Sequence, residues 1–151
     1  MSSFTITGKD TLTLFGRIYN DFADGDNLTI TFPNELKTVK TGKNNNSIYA
    51  DNSTGKNADM SIRVLRGSSD DRFLQGKLIE QNNQGASFTT AEGEFVKILG
   101  DGQGNTVSDI YTLQGGIFTK EVDGKENVEG DTEQAVSVYN LKFARASRSI
   151  G

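Results

Sequence analysis

Apolar and polar residues alternate along much of the chain, and this pattern predicts a mainly β protein. In the clearest strand, Leu28, Ile30 and Phe32 share one face, and Thr29 and Thr31 share the other. Further strands are expected at 4–6, 12–14, 58–64, 86–89, 94–99, 107–119 and 136–143, with a break near 115–116 and a bulge at 138–139. A turn should join the strands at 4–6 and 12–14. An exposed tail that carries Arg145 and Arg148 should follow the strand at 136–143.

One segment departs from this alternation and predicts a helix between Ser68 and Gly85. The Ser68 hydroxyl can accept a hydrogen bond from the amide three residues later, and Asp71 can reach back toward the free amides of the first turn. Phe73 and Leu74 begin an apolar stripe at helical spacing, so we expect them to pack against the sheet. Gly85 offers a left-handed end. The pattern therefore predicts a β domain with one helix on its flank.

Two polar stretches, at about 40–57 and 120–133, are expected to be long loops. The first contains Ile48 and Tyr49 among Lys, Asn, Gly, Ser and Thr residues. It is either a mobile loop or an extended hairpin with this pair near its middle. We favour a loop that orders on contact with another subunit, because an isolated apolar pair in a polar arm needs a place to be buried.

Composition narrows the function by what the chain lacks. The 151 residues suit a single domain, 1–151, and include neither Cys nor His, which removes thiolate metal sites and the commonest general base. The net charge of −4 is spread along the chain, whereas nucleic-acid binding normally needs a basic patch. We find no secretory signal and no window that approaches a membrane span. These features predict a protein that is not an enzyme, uses no cofactor and does not enter a membrane.

Two clusters of carboxylates are candidates for chemical sites. Asp21, Asp24 and Asp26 beside Asn27 suggest calcium, but the EF-hand spacing is missing and an Asx-type turn is the simpler interpretation. A glycosidase pair would need a substrate cleft between two carboxylates, and the close pair at 92 and 94 has no Trp-lined cleft beside it. We therefore predict no catalytic and no metal-binding residues.

Several segments together resemble the tail tube proteins of contractile-tailed bacteriophages. They are DFADGD at 21–26, TITFP at 29–33, RVLRGSSDD at 63–71 and the closing YNLKFA at 139–144. The resemblance spans roughly residues 4–144. It implies a β-sandwich or barrel-like domain with one flanking helix, whose sheets assemble into hexameric rings that stack into a hollow tube for DNA.

The resemblance also implies partners and a location. The chain would bind itself in stacked homohexameric rings, a sheath protein outside, and baseplate and tail-terminator proteins. The tape-measure protein and DNA would pass through the lumen without specific binding. Such a protein is made in the host bacterial cytoplasm and resides in the virion, within the phage tail.

These expectations assign roles to particular residues. The contact between rings is placed on the polar stretch, at Lys43, Asn44, Asn45, Asn46, Ile48 and Tyr49. The channel-facing surface is placed at Thr29 and Thr31, since polar or acidic walls would let DNA pass. Ser68 and Asp71 would cap the helix, and Phe73 and Leu74 would pack it.

The main alternative is a carbohydrate-binding or adhesive β-sandwich, which would also be rich in Gly and Asn. Sugar sites usually need exposed aromatic platforms, and the chain has four Tyr and no Trp. A tube-like baseplate or tail-terminator ring is not separated from the main tube by the sequence.

Overall fold

The computed structural model of the chain describes residues 5–23, 27–52, 56–124 and 135–151, with only the backbone described for 5–9. Its strands and helix follow the order β1 Thr5–Leu14, β2 Arg17–Ile18, β3 Leu28–Thr31, β4 Lys37–Thr41, β5 Ser47–Asp51, β6 Ala58–Leu65, α1 Ser69–Gln84, β7 Ala91–Gly100, β8 Thr106–Phe118 and β9 Val136–Ile150. Seven strands form an antiparallel sheet in the order β2-β1-β7-β8-β9-β6-β3, while β4 and β5 form a separate hairpin. The predicted mainly β class with a flanking helix is confirmed.

The core lies between α1 and one face of the seven-stranded sheet. Alternation in β6 and β9 places Met60 opposite Leu141 and Ile62 opposite Tyr139, all buried on the helix side. Leu74 of α1 is fully buried in the same cluster. Burying one such leucine stabilises the fold by roughly 2 kcal/mol, so the apolar stripe fixes which side of the helix meets the sheet.

The start and end of α1 have the geometry expected from the sequence. Ser68 Oγ accepts a hydrogen bond from the Asp71 amide at 3.2 Å, and Asp71 Oδ2 accepts one from the Gly67 amide at 2.8 Å. Gly85 follows the helix with a φ of +57°. Phe73, in contrast, is only half-buried, because it packs at the border of the core against Phe15. Both residues therefore pack against the core, Leu74 inside it and Phe73 at its border.

Two local predictions are wrong: a turn within the N-terminal segment and a strand at 86–89. The N-terminal segment is one strand, β1, with an irregular register between Ile6 and Asp10 in place of a turn. Residues 86–89 do not form a strand, since a short 3₁₀ turn, Gly85–Ser87, follows the helix and β7 begins at Ala91. Strand pairing with a neighbour decided both outcomes, and this information is absent from local alternation.

The expected bulge at 138–139 is also wrong, since Val138 and Tyr139 pair with β6 in an unbroken register. The change of phase lies further along β9, where Phe143 and Ala146 are both buried on the helix side. β8 changes phase at the same level, near Gly115, which has a φ of +67°, but it stays one strand. The expected exposed tail is part of β9, in which Arg148 pairs with Asp109.

Of the two polar stretches, only the first contains regular secondary structure among its described residues. Of the two interpretations of residues 40–57, a mobile loop or an extended hairpin, the structure shows the hairpin, because β4 and β5 pair over residues 37–51. In the second stretch, residues 120–124 lack regular structure and the remaining residues lie outside the described part of the chain.

Candidate assembly surfaces

The largest exposed feature is the segment 36–52, which contains the β4–β5 hairpin and is called the arm below. Every residue from 31 to 52 is exposed. The hairpin is closed by a hydrogen bond of 2.7 Å from the Gly42 amide to the Asn46 carbonyl, and Asn45 has a φ of +61°, which asparagine tolerates better than most residues. The tip of the arm, residues 43–46, is therefore a built turn that presents Lys43, Asn44, Asn45 and Asn46 to solvent.

The stem of the arm, defined by Val39, Ile48 and Tyr49, is apolar. Val39 lies opposite Tyr49 on one face of the hairpin, and Ile48 lies on the other. Their exposed fractions are 59% for Val39, 74% for Ile48 and 75% for Tyr49. A two-stranded hairpin is marginally stable in water, and an exposed apolar cluster commonly marks a contact surface. The stem therefore has the character of an interface that the single chain does not cover.

The root of the arm sits beside β9. The Asn52 amide donates to the Leu36 carbonyl at 2.8 Å, which brings the two ends of the arm together. A few residues later, the Lys56 carbonyl accepts a hydrogen bond of 2.9 Å from the Ala146 amide of β9. Before the arm, the Phe32 ring stacks on Tyr111 of β8 with 6.2 Å between centroids. These contacts fix where the arm leaves the body of the protein.

Half of the large sheet has two open sides. β6 pairs with β9 only along Val136–Phe143. The later residues of β9 are paired with β8, so this part of the sheet consists of four strands, β1, β7, β8 and β9. In this four-stranded part, one row runs Thr11, Val96, Ile110 and Ser149 across the strands. Within the described residues, no strand pairs with the outer side of β1 at 5–11 or with that of β9 at 147–150.

The orientation of the β9 backbone shows that its open side can accept a strand. Ser108 and Gly151 exchange hydrogen bonds of 3.1 Å, so Gly151 points toward β8. Because alternate residues of a strand point in opposite directions, the amides of Ile150 and Arg148 point outward. An unpaired row of backbone groups is a template for a further strand.

The sheet face opposite α1, called the open face below, is mostly uncharged. In the four-stranded part it carries seven hydroxyl residues, three apolar residues, one amide, one carboxylate and one arginine: Thr11, Thr13, Thr106, Ser108, Thr112, Ser147 and Ser149, then Val96, Ile98 and Ile110, then Gln114, Glu94 and Arg145. Among these thirteen described residues, Arg145 is the one basic residue. Such a face offers few charges to hold a polyanion.

Thr29 and Thr31 lie on the same open face, beyond β6. They border a shallow depression of about 280 Å³ that is also lined by Asp59, Ser61 and Asn140. In this region Lys142 lies directly opposite Asp59 in the sheet, and Arg63 of β6 lies on the same face. The sequence did not anticipate a basic residue on the face assigned to the channel.

The junction of α1 with the sheet depends on Asp70, for which the sequence indicates only a charge near the start of the helix. Asp70 is 2% exposed, and its carboxylate accepts hydrogen bonds from Arg17 Nη2 at 3.0 Å and from the amides of Asn20 and Asp21, both at 2.8 Å. It ties the first turn of the helix to β2 and to the segment that follows. Only an acidic residue next to a helix cap was visible as a signal, and it has a simpler explanation at the helix dipole.

Two tyrosines are held neutral by the core. Burial raises the pKa of Tyr139, and the Asp71 carboxylate, which accepts a hydrogen bond of 2.6 Å from the phenol, raises it further. Burial likewise raises the pKa of Tyr19, whose phenol donates to the Leu14 carbonyl at 3.1 Å. Both phenols serve packing and hydrogen bonding at ordinary pH.

The described residues contain no group of His, Cys, Asp and Glu arranged to hold a metal ion, and the turn at 24–26 lies outside them. Glu92 and Glu94 are both exposed. In the described part of the chain, no helix is long and apolar enough to cross a membrane.

Comparison of the chain with models of known protein families gives no match, and comparison with curated proteins gives none.

Proposed function

We propose that the chain is a structural virion protein that forms the inner tube of a contractile phage tail. Copies would close into hexameric rings, and the rings would stack into a conduit for DNA. The observation that carries this proposal is the four-stranded part of the sheet, which has open sides at both β1 and β9.

The strand directions favour a joint between copies. β1, β7, β8 and β9 are successively antiparallel, so the first and last strands run in opposite directions. A second copy in the same orientation therefore offers its β1 as an antiparallel partner for β9. Because the two joined surfaces differ, the contact is head-to-tail, and such contacts form rings when the rotation closes. Closure also removes the edges that would otherwise invite aggregation.

The open face would line the channel, and α1 would lie outside. In the four-stranded part this face is built mainly from Ser, Thr and short apolar residues, with Glu94 and Arg145 as its charged residues. Each phosphate neutralised by a Lys or Arg releases counterions and adds affinity, so a wall with few of these residues lets DNA slide. Thr29 and Thr31 continue the same face, at the side where Lys142 adds positive charge.

The arm would provide contacts beyond the sheet. Its tip, with Lys43, Asn44, Asn45 and Asn46, would meet the next ring, as would Ile48 and Tyr49 if they are covered there. Sheath, baseplate and tail-terminator proteins would bind the assembled tube, and the tape-measure protein would occupy the lumen before DNA. A carbohydrate-binding module is the alternative, but the four tyrosines supply no exposed platform on the body of the protein: Tyr19 and Tyr139 are buried, Tyr111 is half-buried, and Tyr49 lies on the arm.

Electron microscopy of the purified protein tests the proposal, with hollow filaments or stacked rings as the expected result. The variant Ile150→Pro removes an outward amide of β9 and should weaken ring closure, whereas Ile150→Ala, which keeps the amide, should not. A protein that stays monomeric at high concentration contradicts the proposal, and a monomer that binds glycans favours the alternative. A lumen lined mainly by Lys and Arg would contradict the conduit role.

A further inference from the structure

We infer that the stem of the arm, at Val39, Ile48 and Tyr49, crosses the joint between neighbouring copies of one ring and packs on the next copy. The occupant of the stem is thus a second copy of this chain in the same ring. This inference rests on the proposed function and changes the part that the arm plays in it: the stem closes the ring, and only the tip at 43–46 is left for the ring above.

The root of the arm lies next to the open side of β9. The Lys56 carbonyl accepts a hydrogen bond from Ala146 of β9 at 2.9 Å, just before the open side at 147–150 begins. On the other side of the root, Phe32 stacks on Tyr111, on the helix side of the sheet. The arm therefore leaves the body at the side where the next copy would join.

The arm does not fold back on its own sheet. Every residue from 31 to 52 is exposed, including the three apolar residues of the stem. If the arm lay along its own subunit, one face of the hairpin would be covered. A stem that is apolar and uncovered, and that starts at the β9 side, has the neighbouring copy as the surface closest to its root.

The length of the arm matches the width of the surface that it would cross. A strand advances about 3.4 Å per residue, so the hairpin extends roughly 20–25 Å from its base to its tip. Four strands at about 4.8 Å spacing are about 19 Å wide. The arm is therefore long enough to cross the four-stranded part of a neighbouring copy.

The arm carries Lys37, Lys40 and Lys43 against a single carboxylate, Asp51, which pairs with Lys37 at 3.4 Å. On the helix side of β1, the strand that would join β9, Asp10 forms an ion pair with Lys97 at 3.1 Å and keeps 27% of its side chain exposed. The positively charged arm with its apolar stem would thus meet a surface of mixed charge, beside the half-buried Phe95 and Leu99.

Two variants separate the stem from the tip. Val39→Ser with Tyr49→Ser removes apolar surface from one face of the stem, and Lys43→Ser with Asn44→Ser changes the tip to a similar extent. All four residues are exposed, so both proteins should fold, which circular dichroism and thermal unfolding check. Sedimentation velocity and electron microscopy then measure closed rings and stacked rings separately.

We expect the stem variant to lose closed rings, with at least a tenfold rise in the concentration needed for assembly. The tip variant should form rings that no longer stack. Closed rings from the stem variant, or monomers from the tip variant, would overturn this inference while leaving the proposed tube intact. A wild-type protein that forms neither rings nor tubes would contradict the proposed function, and the inference with it.

Discussion

At the scale of single residues, polar groups buried at the junction of helix and sheet determine how α1 is attached. Asp70 holds Arg17 and two backbone amides, while the Tyr139 phenol binds the Asp71 carboxylate from the opposite side. Removing one partner from a buried hydrogen bond costs more than the bond contributes on average, since the other partner is left without water. The two aspartates that follow the cap thus have different roles, one inside the fold and one at its border.

The two buried tyrosines predict a loss of stability at alkaline pH. Burial raises the pKa of Tyr139 and of Tyr19, so the folded state keeps both protons after the unfolded chain loses them above about pH 10. The unfolded state then binds fewer protons, and the free energy of unfolding falls as pH rises, by up to about 1.4 kcal/mol per pH unit for each tyrosine. Denaturant titrations from pH 8 to pH 11 measure this slope. Tyr139→Phe should lower the slope, and an equal slope in both proteins would contradict the assignment.

At the scale of elements, α1 combines strong boundary signals with an unfavourable interior residue. Ser68 and Gly85 mark its ends, but Gly76 lies in an exposed middle turn where a Cβ would meet nothing within 4 Å. The helix forms because Leu74 and Leu78 are buried against the sheet, which outweighs the poor propensity of Gly76.

The two glycines of α1 and its end should respond in opposite ways to the same substitution. Gly76→Ala should raise the free energy of unfolding of the unassembled subunit by up to about 1 kcal/mol, because alanine loses less backbone entropy in a helix. Gly85→Ala should lower it by about 1 kcal/mol, because the φ of +57° is strained for a residue with a Cβ. Chemical denaturation of both variants measures the difference. Destabilisation by Gly76→Ala would show that another surface already lies against the helix.

At the scale of the whole molecule, the chain divides into a body that contains the core and an arm that contributes nothing to it. All residues of the described core cluster belong to the seven-stranded sheet, α1 or the segments that join them, and none belongs to residues 31–52. The stability of the subunit and its capacity to assemble are therefore carried by different parts.

Replacing residues 37–51 with a short Gly-Ser turn should leave the body folded. Leu36 and Asn52 are already joined by a backbone hydrogen bond of 2.8 Å, so a short connection fits. We expect the free energy of unfolding to change by less than about 1 kcal/mol, because no buried residue is lost. Denaturant titration checks the stability, and a much larger loss would show that the arm supports the body.

Local sequence was sufficient for features that depend on neighbours along the chain. The alternation at 28–31 and 58–65 was enough to locate two strands and their buried faces, and Ser68, Asp71 and Gly85 marked both ends of α1. The mainly β class with one flanking helix followed from these patterns. Each rests on backbone geometry with a period of two or 3.6 residues, or on hydrogen bonds a few residues apart, so the sequence carries the whole signal.

The tertiary structure alone decided the features that depend on residues far apart in the chain. Arg17 meets Asp70 across 53 positions, and neither residue type by itself predicts burial. The continuity of β1 and β9 depends on strands β7, β8 and β6 beside them. The open side of β9 exists because its pairing with β6 ends at Phe143, and the open side of β1 exists because β2 pairs only with Thr13 and Leu14. The arm is a hairpin because β4 pairs with β5. It is exposed because the rest of the described fold does not cover it. Such long-range pairing is selected by the burial of the entire sheet, which no local window of the sequence contains.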